Sequence, residues 1–327
     1  MPARIVPMCD TKRARGATAT ARETLVIGLV NNMPDGAIRA TELQFQTLLE
    51  AASGDRPVEL RLLALADVPR DPSALAELMS NYTNAADLQP GDVDALIITG
   101  AEPRTAELQD EAYWQSFTQL IDWARAHTVS SIFSCLAAHG AALHLDGIAR
   151  RPLDGKLSGL FDCAREGDHP LLADGPDVYQ VPHSRWNELA ASDLEAKGYT
   201  VLTRSARAGA DTFVRDGDSL FVFFQGHMEY DARSLLAEYH RDIVRFIKRE
   251  RDVYPQLPEG YLDATSAAVF AELQACVLSG AARDALISAA AAAASGARLT
   301  NTWRAPATNI YANWLTHIAG KKYGRQD

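Results

Sequence analysis

Unbroken apolar runs alternate with helix-period stretches along the first half of the chain. TLVIGLV (24–30) is apolar and β-branched throughout, and IRATELQFQTLLEAAS (38–53) sets Ile38, Leu43, Phe45, Leu48 and Leu49 mostly on one side of a helix. VELRLLAL (58–65) and DALIITG (94–100) predict two further strands. EAYWQSFTQLIDWARAH (111–127) predicts an amphipathic helix that leads into a strand at SSIFS (130–134). Strands that are apolar on both sides and separated by helices predict a parallel sheet, because the crossover helices cover both of its faces. The predicted fold class is therefore α/β.

After residue 150 the strands become shorter and more mixed: KLSGLFDC, DVYQVP, YTVLTRS and DTFVRDG, with GD and DG turn signals between them. This spacing predicts antiparallel strands that extend the sheet. SLFVFFQGH (219–227) then predicts another buried strand ending at a histidine, followed by a helix over DARSLLAEYHRDIVRFIKRE. The run DATSAAVFAELQACVLSGAARDALISAAAAAASG has high helix propensity and little apolar bulk, so it predicts a helical segment near the end of the chain.

The 327 residues are 47% hydrophobic and 23% charged, enough for a sizeable core. A formal charge of -10 argues against nucleic acid or an anionic membrane as the main partner and favours small molecules. Cys9, Cys135, Cys163 and Cys276 show no paired CxxC spacing, which predicts neither a disulfide framework nor a zinc site and suits a reducing cytoplasm. Residues 1–23 are basic and rich in Ala and Thr without an apolar stretch, and read as a disordered tail rather than a secretory signal. No apolar run approaches the roughly 20 residues of a membrane span.

In SIFSCLAAHG (131–140), Cys135 falls between a predicted strand and a predicted helix. Backbone N–H groups and the helix dipole favour a thiolate at such a corner, and the Leu136 amide is placed to hold an oxyanion. Free cysteine is also among the most buried residue types, so the address alone leaves a packed core thiol open. His227 follows the carboxyl end of a predicted strand, the edge where open parallel sheets bind ligands, and Glu229 lies two residues on, where a tight turn lets it orient the imidazole. His139 and His144, on the helix after Cys135, read as packed or solvated residues.

Several blocks together resemble the homoserine O-succinyltransferase family: NNMPDGAIRATELQF, ITGAEPRTAELQDEAYW, SIFSCLAAHGAAL, GKLSGLF, VPHSRW, GHMEYDARSLLAEYHRD and TWRAPATNIYANWL. The resemblance implies a flavodoxin-like, class I glutamine-amidotransferase-like fold: a mixed, mainly parallel sheet with helices on both faces. An acyltransferase domain would span 24–260, an inserted alanine-rich helical segment 261–300, and a C-terminal segment, 301–327, would pack back on the domain. It implies Cys135 as the acyl-carrying nucleophile, His227 as base, Glu229 as its orienting carboxylate, and the amides of Leu136 and Met33 as oxyanion donors. Arg241, Lys156 and Ser184 match substrate-pocket residues. Arg104 stands where the family usually has Gly or Glu to select the acyl group; a guanidinium there is able to pair with the distal carboxylate of a succinyl group, which favours succinyl-CoA. The implied reaction is ping-pong transfer from this co-substrate to L-homoserine, with no bound cofactor or metal, in a cytoplasmic homodimer. A glutaminase remains open as a rival, although its elbow normally reads GxCxG and here Ser134 and Leu136 flank Cys135 with no glycine beside it; so does a noncatalytic relative.

Overall fold

The computed structural model describes residues 4–5, 24–279 and 282–324. Cys9 and most of the basic segment 1–23 lie outside them. In chain order the elements begin with β1 (Arg4–Ile5), β2 (Leu25–Val30), α1 (Ile38–Ser53), β3 (Val58–Ala64), α2 (Pro72–Asn81), β4 (Thr83–Asn84), β5 (Ala95–Thr99), α3 (Trp114–His127), β6 (Ser130–Ser134) and α4 (Leu136–Asp146). They continue with β7 (Arg151–Arg165), β8 (Val178–Glu188), α5 (Ala191–Ala196), β9 (Thr200–Val201), β10 (Thr203–Ser205), β11 (Gly209–Ala210), β12 (Thr212–Arg215) and β13 (Leu220–Phe224). Four helices close the chain: α6 (Ser234–Ile247), α7 (Ala264–Leu278), α8 (Arg283–Gly296) and α9 (Arg304–Tyr323).

The main sheet runs β1-β3-β2-β5-β6-β13-β12-β9, with β4 beside β3. Its pairings are parallel from β1 to β13 and antiparallel from β13 to β9. Alternate residues of the central strands feed two apolar layers, as a period of two requires. Ile97 of β5, Ile132 of β6, and Val222 and Phe224 of β13 pack with Phe45 and Leu48 of α1 and Tyr311, Trp314 and Ile318 of α9. Ile98, Phe133, Phe221 and Phe223 face the other way, onto Phe117 and Ile121 of α3 and the alanines of α4. Both faces are covered, and the expected mainly parallel α/β fold is what the chain adopts. On α1 the core stripe omits Leu43, which is 62% exposed.

The strands after residue 150 divide differently from the expectation. Of those between 150 and 215, only β9 and β12 extend the main sheet; β11-β10-β7-β8 form a second, antiparallel sheet. The length of β7 and β8 explains this, since they pair with each other from Arg151↔Glu188 to Ala164↔Val178 around one irregularity. Local alternation marks a strand without naming its partner. The alanine-rich segment folds as α7 and α8, whose Phe270, Leu273, Val277 and Leu286 pack on Leu236, Tyr239 and Ile243 of α6.

Candidate active site

Four neighbouring parallel strands, β2, β5, β6 and β13, end at one edge, with Thr99↔Ser134 and Phe224↔Ser134 in register. A cavity of about 220 Å³ opens there, lined by residues that follow each strand: Met33 and Pro34, Gly100 to Pro103, Cys135 and Leu136, and His227 to Tyr230 save Met228. It is the crevice outside the carboxyl ends of the strands in which open sheets bind ligands.

Cys135 sits at the corner between β6 and α4 with φ 50° and ψ -109°, a conformation that L side chains rarely adopt. Its N–H donates to the Phe224 carbonyl at 2.7 Å, tying the corner to the neighbouring strand. The turn sets the thiol at the cavity and leaves it partly exposed, which decides against the packed-core alternative. Gly100 permits this closeness, because a Cβ there would lie 2.5 Å from the Cβ of Leu136. The Leu136 amide is the first of α4 and so has no acceptor within the helix. The Met33 amide, the second expected oxyanion donor, lines the same cavity and makes a long 3.3 Å bond to Asn31 Oδ1.

His227 comes from the turn after β13, where its own N–H donates to Pro182 O at 2.8 Å. Its Nδ1 bonds Glu229 Oε1 at 2.8 Å, which directs Nε2 away from the carboxylate. Ser134 Oγ donates to the same Glu229 oxygen at 3.3 Å. The ring of Tyr230 stacks on the imidazole with centroids 4.2 Å apart. Burial opposes the charged imidazole, but charge interactions with Cys135 and Glu229, and after them hydrogen bonds to the same two groups, outweigh it and hold the His227 pKa well above its ordinary value. The structure thus brings together the three residues expected for chemistry.

The expected substrate residues divide. Lys156, Ser184 and Arg241 line the cavity with Cys135. Arg104 lines an adjoining cavity of about 180 Å³ that shares Pro34, Ala101 and Glu102 with it, and its Nη2 donates to Pro69 O at 3.1 Å. Its loop is held by the buried Glu111, which accepts from the amides of Arg104 and Thr105 at 2.6 and 2.8 Å.

Three neighbours of the site escape the sequence reading, and a fourth, His139, is packed as expected but against the cavity. Glu238 on α6 accepts from Lys156, Ser184 and Tyr230. Arg185, buried in β8, lines the cavity and donates to Asn187 O at 2.7 Å, to Ala208 O and to His183 Nδ1. His139, read as merely packed or solvated, also lines the cavity; Leu189 N–H and His139 Nε2 both meet Gln225 Oε1, and burial pushes the imidazole down to about 3, so it is neutral. Arg70 braces the loop after β2 by donating to Met33 O, Asp35 Oδ1 and Asn31 O. Arg185 and Glu238 lie within VPHSRW and GHMEYDARSLLAEYHRD, but nothing local singles out either of them, or Arg70.

Among the described residues, Cys163, His183 and Asp211 bring potential ligand atoms within 4.8 Å of one another. Two of them are already hydrogen-bonded: Asp211 accepts from the Gly226 amide and the Thr212 hydroxyl, and His183 Nδ1 accepts from Arg185, which leaves the ring proton on Nε2, 3.4 Å from Asp211 Oδ1. Burial also pushes the Cys163 thiol far up, against the thiolate a metal requires. A cation would sit beside the Arg185 guanidinium, so the group reads as a buried hydrogen-bonded web.

Fold and site together define a mainly parallel α/β protein with a cysteine, a histidine and a glutamate at the carboxyl edge of its sheet. The chain matches the family model described as "HTS: Homoserine O-succinyltransferase" over residues 4–323, and it belongs to that family. It is 54% identical over 252 residues to a homoserine O-succinyltransferase of Rhodopseudomonas palustris, covering 77% of this chain and 75% of that one. It is 43% identical over 297 residues to one of Methylorubrum extorquens, covering 91% and 88%. A glutamine amido transferase from Methylobacillus flagellatus is similar at 15% identity and a TM-score of 0.48, over 90% of this chain and 95% of that one. None of the described helices is long and apolar enough to cross a membrane.

Proposed function

We propose that the chain transfers a succinyl group from succinyl-CoA to the hydroxyl of L-homoserine through an acyl-enzyme on Cys135, the first committed step of methionine biosynthesis. The observation that carries this reading is the convergence of Cys135, His227 and Glu229 on one cavity with Lys156, Ser184 and Arg241. The Cys135 sulfur attacks the thioester carbonyl, the C–S bond to CoA breaks, and His227 gives its proton to the departing thiol. Homoserine then binds, His227 takes the proton of its hydroxyl, and the oxygen attacks the acyl carbon and releases Cys135. In both steps negative charge gathers on the carbonyl oxygen, which the amides of Leu136 and Met33 would receive. Glu229 keeps Nδ1 protonated and Nε2 free to carry the travelling proton.

Arg241 and Lys156 supply the positive charge that an amino-acid carboxylate calls for. Arg104, next to the cavity, and the names of the relatives support succinyl-CoA as donor. A second reading, acetyl-CoA, draws on Glu102, which lines both cavities and would repel a distal carboxylate. The reaction needs no resident cofactor or metal. A cytoplasmic homodimer completes the proposal on family membership alone. Initial rates over a grid of succinyl-CoA and L-homoserine test it: parallel double-reciprocal lines are expected, whereas intersecting lines, or glutamine hydrolysis without acyl transfer, would overturn it.

A further inference from the structure

The cavity beside Cys135 holds a buried polar atom for which the protein supplies no partner. His139 follows Cys135 by four residues on α4, about 6 Å along the helix axis, and its backbone N–H reaches back to the Cys135 carbonyl at 3.3 Å. The residue is 2% exposed and lines the cavity. Gln225 sets its tautomer. The Gln225 amide has one possible orientation, since Nε2 donates to Leu189 O at 3.0 Å and to Ala210 O at 2.7 Å while Oε1 accepts from the Leu189 N–H at 2.7 Å. Oε1 is therefore the atom that meets His139 Nε2 at 3.1 Å, so Nε2 carries the ring proton and Nδ1 presents a bare lone pair. That Nδ1 is buried, and none of the described residues hydrogen-bonds it. A buried acceptor left unpaired is destabilising, which marks Nδ1 as the place of a donor that arrives with a ligand.

The surroundings narrow the choice of donor. Arg185 and Arg150 line the same cavity and donate to the carbonyls of Asn187, Ala208 and Ala106. With burial, these two guanidiniums keep the imidazole uncharged, and they would repel an ammonium group. A carboxylate has no proton to offer Nδ1, and the hydroxyl of the acceptor gives its proton to His227. An uncharged N–H remains, and of the two substrates only the donor carries one: the pantetheine arm of CoA has an amide two methylene groups from its sulfur. We propose that His139 Nδ1, held by Gln225, accepts the N–H of this first pantetheine amide, so that the His139–Gln225 pair recognises the leaving group of the acyl donor. This rests on the reading of an acyl-CoA as donor. With the thioester carbon at Cys135 Sγ, two methylene groups carry the amide about one helical turn from the sulfur, the separation between Cys135 and His139 on α4. No protein hydrogen bond has to break for the ligand, and Gln225 keeps its backbone partners throughout, so the acceptor is oriented in advance.

The test compares two truncated thioesters on the full chain. S-succinyl-N-acetylcysteamine keeps the amide N–H, and S-succinyl-2-mercaptoethyl acetate has an ester oxygen in its place. Succinylation of Cys135 is followed by intact mass, and each rate is divided by that thioester's rate with a free thiol in solution. The parent protein should favour the amide by about 10- to 100-fold, because the ester sets an oxygen against a bare nitrogen. His139→Leu, which leaves Gln225 Oε1 on the Leu189 amide, should bring the ratio to within about threefold, chiefly by slowing the amide. Equal rates in the parent, as when Nδ1 holds only a water, or an unchanged preference in His139→Leu, would overturn the inference. Should His139→Leu fail to fold, the nitrogen NMR resonance of His139 Nδ1 in histidine-labelled Cys135→Ala decides. It should move upfield when CoA is added, and a resonance that CoA leaves in place overturns the inference. If neither these thioesters nor succinyl-CoA acylates Cys135, the proposed function falls and the inference with it, whereas equal acylation by the two strikes the inference alone.

Discussion

Ser134 and Glu229 meet across two strands: the residue preceding Cys135 donates to the same carboxylate oxygen, at 3.3 Å, that His227 Nδ1 reaches at 2.8 Å. The nucleophile's strand and the base's turn are thereby fixed to each other through one atom. Glu229→Gln keeps an acceptor but removes the charge opposite the imidazole, and should lower kcat by about 10²- to 10⁴-fold with little change in KM. CoA release measures it, and a fall of less than tenfold would deny Glu229 this role.

Cys135 holds φ 50° for the sake of presenting its thiol, and strain of this kind is typically about 1–3 kcal/mol. Glycine adopts this region freely but loses more entropy on folding than alanine. Urea unfolding should therefore find Cys135→Gly about 1 kcal/mol more stable than Cys135→Ala. The opposite order would mean that the corner is relaxed.

His139 is neutral in the fold, with burial holding its pKa at about 3, while in the unfolded chain it takes up a proton below about pH 6.5. Unfolding therefore binds a proton in that window, and stability falls as the pH drops from about 6.5 towards 3. The slope is about 1.4 kcal/mol per pH unit for this group. His139→Asn should remove it, so that wild-type and variant unfolding free energies converge or cross as pH is lowered. Parallel pH profiles would show that His139 does not titrate between the two states.

Arg104 approaches the donor site only through the cavity that adjoins it. If its charge helps choose the acyl group, Arg104→Gly should reduce the ratio of succinyl to acetyl transfer by about 2- to 5-fold, the worth of one solvent-screened ion pair. An unchanged ratio in competition between the two thioesters would leave the choice to other residues, Glu102 foremost.

The central layers of this fold were legible because each strand and helix carries its own period: TLVIGLV, DALIITG and SSIFS became buried parallel strands within a residue at each end, and SLFVFFQGH did so too, although its strand stops at Phe224, three residues short of the histidine. The elbow was legible too, since an apolar strand meeting a helix at Cys135 is a local pattern. Long-range pairing was not. Nothing in KLSGLFDC says that it joins VPHSRW in a separate sheet rather than the main one. Arg70, Arg185 and Glu238 escaped for the same reason. Each is joined to the site by acceptors or donors more than 20 residues away, such as Met33 O for Arg70, Ala208 O for Arg185 and Ser184 Oγ for Glu238, and a contact of that range leaves no periodic trace.

The most direct measurement is the mass of the protein after brief mixing with succinyl-CoA in the absence of acceptor, followed by peptide mapping. One succinyl group on Cys135, absent from Cys135→Ala and discharged when L-homoserine is added, is the predicted result. An unmodified Cys135 under conditions where O-succinylhomoserine still forms would contradict covalent transfer through this residue.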